Sequence, residues 1–97
     1  ITLNSLLTRE IFAPLFEKQN VHKEHHEDLF SSYWLNPEDS DNIVQFFARQ
    51  GILIRQVDID VKYSLLRIGL LNQQDLESQD RVKIAVKEYL LKSVKQN

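Results

Sequence analysis

Residues Ile52–Leu71 read ILIRQVDIDVKYSLLRIGLL and fit two periodicities at once. Val57, Ile59, Val61 and Tyr63 alternate strictly with polar neighbours, as in a half-buried strand. Ile59, Tyr63, Leu66 and Leu70 also fall at i, i+4, i+7 and i+11, one stripe of a helix, with Asp58 placed to cap it. A strand needs a partner, and only Ile52–Ile54 offers anything like a second alternating run. Two Gly and two Pro in 97 residues are also few turn-formers for an all-β chain. The expectation is a helix over about Ile59 to Ile68, closed by Gly69.

Immediately before it, Asn36–Gly51 (NPEDSDNIVQFFARQG) carries a full set of helix signals. Asn36 can accept from the free N–H groups of the first turn, and Pro37 loses nothing at the first helical position. Glu38 and Asp39 oppose the positive end of the helix dipole, Arg49 sits in the last turn, and Gly51 can take the left-handed closing conformation. Ser40, Ile43, Val44, Phe46, Phe47 and Ala48 cover a wide arc, so this helix is expected at the centre of the core.

The same reading predicts a kinked N-terminal helix through Pro14, a helix from about Val21 to Leu35 capped by Asn20, and a long helix from about Gln79 to Val94 opened by Ser78. The last has a main stripe of Val82, Ala85, Val86, Tyr89 and Ser93, with Ile84 and Leu91 nearly opposite. Together these give an all-α fold: a compact bundle of five to six short helices, one domain over residues 1–97. Its expected core is Leu15, Phe16, Leu29, Phe30, Tyr33, Ile43, Val44, Phe47, Tyr63, Leu66, Leu70, Val82, Val86 and Tyr89.

There is no Cys, which excludes disulfides and thiolate chemistry. No apolar run is long enough to span a bilayer, so a cytoplasmic domain is expected. The chain opens on Ile1 and contains no Met, as a piece trimmed, processed or cut from a longer protein would. The net charge of −2 is uneven: residues 1–51 hold 4 basic and 8 acidic side chains, residues 52–97 hold 8 and 6. Neither half has the excess of a dedicated nucleic-acid binder.

His22 and His26 would lie one helical turn apart, a metal-ligand spacing, but Lys23 follows His22 where HExxH would need Glu. No metal site or cofactor is inferred. No Ser sits in a strained elbow and no Gly-rich loop is present, so neither an enzyme nor a small-molecule substrate is expected. Ile68–Gly69–Leu70, Arg81–Val82–Lys83–Ile84 and Leu90–Leu91 faintly resemble the end of a sterile alpha motif domain, a helical interaction module. The connection between them is too long and the Gly before the Arg is missing, so membership is not assigned.

Function is expected to be non-catalytic protein–protein interaction, as an adaptor or assembly domain. Ile84 and Leu91, beside Lys83 and Lys87, would supply a docking patch on the last helix. Glu24, Glu27 and Asp28 would supply an acidic face through which one copy meets the basic helix of the next. The alternative is a small helix-turn-helix regulator binding nucleic acid, with Ile59–Ile68 as the reading helix.

Overall fold

The computed structural model describes residues 2–95, with side chains as far as residue 92. The chain runs α1 (Leu3–Glu17), β1 (Lys23–His26), β2 (Phe30–Leu35), α2 (Pro37–Arg49), β3 (Arg55–Asp58), β4 (Ser64–Gly69) and α3 (Leu76–Lys95). The all-α bundle is therefore wrong. Three helices accompany a four-stranded antiparallel sheet of order β1-β2-β4-β3, an α+β fold.

Both errors of class are hairpins. The helix expected over Val21–Leu35 is β1–β2, in which His26 pairs with Ser31 and the Glu27 N–H donates to the Phe30 carbonyl at 2.9 Å. That leaves Asp28 and Leu29 at the tip, and Leu29 is 79% exposed rather than in the core. The helix expected over Ile59–Ile68 is the turn of β3–β4 and most of β4. Asp60 holds that turn by accepting from the N–H groups of Lys62 and Tyr63 at 2.7 and 3.0 Å, a local bond that short polar side chains readily make. Asp58 caps no helix; it sits on β3 and accepts from the Ser64 hydroxyl at 3.1 Å. The partner that Val57 needed was the second half of its own stretch: Val57 pairs with Leu65, and Gln56 with Leu66.

The helical signals near Asn36 hold. The Asp39 N–H donates to Asn36 Oδ1 at 2.8 Å, and Gly51 takes φ +78°, where a β-carbon would be strained. The helix α1 runs unbroken through Pro14 from its cap, Thr2. The helix α3 begins before Ser78, which donates through both N–H and hydroxyl to Asp75. The side chain of Ser93, the end of the expected stripe, and that of Lys95 lie outside the described residues.

The helices α1 and α2 pack on one face of the sheet, and α3 packs on α1 and α2. Tyr33, Leu35, Leu66 and Ile68 rise from the central strands to meet Ile11, Phe12, Leu15 and Phe16 of α1, Ile43 and Phe47 of α2, and Val82, Ala85 and Val86 of α3. Phe47, Leu15, Leu35, Ile43 and Leu66 are fully buried, so truncating any of them to Ala should cost about 2–5 kcal/mol. Of the expected core, Phe30 stands outside this cluster, and Tyr63 and Leu70 are only half-buried. Among the described residues no helix is long and apolar enough to cross a membrane.

Candidate binding face

Successive side chains of a strand point to opposite faces, so the register assigns every strand residue to a side. Tyr33, Leu35, Leu66 and Ile68 define the helix side, and their neighbours in sequence must face away. The second face then forms two rows. Lys23, Trp34, Leu65 and Val57 stand in line across the sheet; beside them run His25, Ser32, Arg67 and Arg55, with Phe30 opposite Gly69 beyond. None of the apolar side chains on this face belongs to the helix-side core, although Leu65 is only 8% exposed. It is covered by its row, between Trp34 and Val57.

Charge is sorted by side. Lys23, Arg55 and Arg67 all lie on the second face, with His25; the strand carboxylates, Glu24 and Asp58, both lie on the helix side. One carboxylate reaches the second face from the turn, Glu27, which meets His25 at 3.1 Å. The cations lie over the rings: Arg67 is 4.3 Å from the centre of Phe30, and the Lys23 ammonium is 4.9 Å from that of Trp34. Such contacts contribute about 0.5–1 kcal/mol where exposed. Arg55 and Arg67 are direct cross-strand partners, an arrangement that costs stability, and the buried Arg67 Nε has no hydrogen-bond partner among the described residues. A surface with two aromatic rings, three fixed cations and an uncompensated like-charge pair is suited to an anionic partner.

The residues singled out from the sequence lie elsewhere. Ile84 and Leu91 are on α3, 56% and 54% exposed, and α1 does not cover them. Lys83 and Lys87 line a groove between α1 and α3 with Leu7, Ile11, Pro14 and Leu90. Glu24 faces α1 from β1, while Glu27 and Asp28 belong to the β1–β2 turn. The basic and acidic sets thus sit on different elements, and Glu24 does not share a face with Glu27. The helical His22/His26 pair does not exist: His22 stacks on Tyr63 at 4.2 Å, and His26 turns edge-on to Tyr33. The reading helix of a helix-turn-helix is absent too, replaced by the β3–β4 hairpin.

Sequence reasoning missed Lys23, Trp34, Arg55 and Arg67 because they share a face only once four strands are aligned. Compared with protein-family models, curated proteins and solved structures, the chain matches none.

Proposed function

We propose that the chain is a non-catalytic protein-binding module of the cytoplasm that takes an acidic, apolar-anchored segment of a partner protein on the uncovered face of its sheet. The observation that carries this reading is the sorting of charge: every fixed cation of the strands faces out, beside Trp34 and Phe30, and every strand carboxylate faces in. Trp and Arg are the side chains that most often dominate binding energy at protein interfaces, and here they stand side by side with Leu65 and Val57 as apolar ground. The exposed Ile84 and Leu91, with Lys83 and Lys87, are proposed as a second, weaker contact through which copies associate, Glu27 and Asp28 of the β1–β2 turn being the charges they would meet.

Trp34 is the only Trp in the chain and reports on the face directly. The test is a fluorescence titration with a synthetic peptide alternating Glu and Phe, and in parallel with oligothymidine. The peptide is expected to shift the Trp34 emission saturably at low salt, less so as salt rises, and not at all in Lys23→Ser/Arg55→Ser. An unchanged emission with the peptide refutes the reading, and a response to oligothymidine alone transfers the face to single-stranded nucleic acid.

A further inference from the structure

On the other side of the sheet, between α1 and the β1–β2 hairpin, lies an open cavity of about 470 Å³, in the size range of small-ligand sites. Its floor is the stack of Tyr33 on Phe16, 3.7 Å apart and almost parallel. Its charged wall follows from two periodicities. Glu10, Ala13 and Glu17 recur at helical spacing along α1, and Ala13 between the carboxylates leaves the space; Glu24 faces them from β1. Arg9 also lines the cavity, and no ion pair among the described residues joins it to these carboxylates.

The acidic wall alone would be an ordinary solvated surface. Tyr33 makes it a site. It is 3% exposed, and the side-chain hydrogen bonds around it join His26 to Glu24 and Ser31 without engaging its hydroxyl. The ring is enclosed, while the hydroxyl, with no protein partner among the described residues, opens onto the cavity. Burial, with the Glu24 charge second and Arg9 opposing, pushes the phenol up to about 12, so the hydroxyl stays a donor and acceptor throughout the physiological range.

We infer that this cavity binds a small organic molecule bearing a primary ammonium on an apolar stem, the stem lying along the Phe16–Tyr33 stack and the ammonium held among Glu10, Glu17, Glu24 and the Tyr33 oxygen. Three carboxylates against Arg9, with His26 already on Glu24 at 3.3 Å, set the sign of the ligand, and the apolar lining of Leu6, Ala13, Phe16 and Val21 sets the character of its stem. The inference is independent of the sheet's other face.

Phenethylamine is the probe, and phenylacetate, with the same ring and the opposite charge, is its control. Both are titrated to about 10 mM, a range that detects millimolar binding, while backbone amide NMR shifts are followed. Phenethylamine is expected to move the amides of Ala13, Val21, Glu24 and Tyr33 saturably, and phenylacetate is not. Tyr33→Phe keeps the stack on Phe16 and removes only the hydroxyl; Glu24→Gln is exposed and isosteric. Each is expected to weaken binding by about tenfold, the equivalent of one lost hydrogen bond or charge contact in a half-enclosed site. No saturable shift at these amides, equal response to phenylacetate, or unchanged affinity in both variants overturns the site.

Discussion

Replacing Thr8 with valine tests how the ends of the chain are joined. Thr8 is 1% exposed on α1 and carries two bonds: its hydroxyl donates to the Asn4 carbonyl at 2.7 Å and accepts from the Leu71 N–H at 2.8 Å. Valine has the same outline, so it leaves no cavity. The Asn4 carbonyl keeps its ordinary helical partner, so its loss is small. The Leu71 N–H keeps none, and an orphaned donor in a half-buried place costs about 1–3 kcal/mol. The added methyl offsets part of this by favouring burial, leaving a net loss of about 1–2 kcal/mol, or roughly 4–16 °C in midpoint for a domain of this size. Urea unfolding followed by Trp34 fluorescence measures it, and the slope against urea should not change. Thr8→Ser keeps the hydroxyl and should lose less. A valine variant as stable as the parent, or a serine variant that loses as much as valine, would refute the reasoning, as would unchanged hydrogen exchange at the Leu71 amide in Thr8→Val.

Alkaline stability should report on Tyr33. Its folded value, about 12, lies above the ordinary 10.0, so its contribution is fully present below pH 10 and is lost as pH rises towards 12. On the order of 2 kcal/mol is at stake; unfolding titrations from pH 9 to 12 should show a decline in the parent that is shallower in Tyr33→Phe. On α3, Ile84→Glu and Leu91→Glu should each shift stability by less than about 0.5 kcal/mol, since both side chains already stand in water, whereas Val86→Glu buries an unpaired charge and should prevent folding. Circular dichroism melts separate these outcomes.

The sequence made legible what its own neighbours determine. Asn36, Pro37 and Gly51 act within one turn of themselves, so the helix they bracket was readable from end to end. The strands were not, because their evidence is spread over partners. The turn at Asp28–Leu29 contains no Gly and no residue of positive φ, so it lacks the usual hairpin signal. The strand β1 is KEHH, without an apolar residue, and β2 interrupts its alternation with Ser31 and Ser32, both buried because the strand is central. In the second hairpin, alternation ran on through the turn: Ile59 and Val61 continue the pattern of Val57, yet Val61 is 93% exposed. The helix-spaced stripe Ile59–Tyr63–Leu66–Leu70 combined two turn residues with two from the next strand or its end.

The candidate face was hidden for a deeper reason, and the same reason argues that it is used. Read as a helix, Lys23, Arg55 and Arg67 are three unrelated surface charges. Read as strands, each falls on the parity opposite to the core, and a slip of one residue in any pairing would drive a cation into the helix side. Register therefore requires these positions to face out, but it does not require them to be cationic. A neutral polar residue at position 55 would serve the sheet better, since Arg55 now opposes Arg67 directly and no strand carboxylate on that face relieves the pair. Stability alone accounts for Leu65 beneath its row; it does not account for two guanidinium groups placed in register beside Trp34 and Phe30. An acidic segment laid across the rows would neutralise the pair and cover the rings together, turning both costs into binding energy.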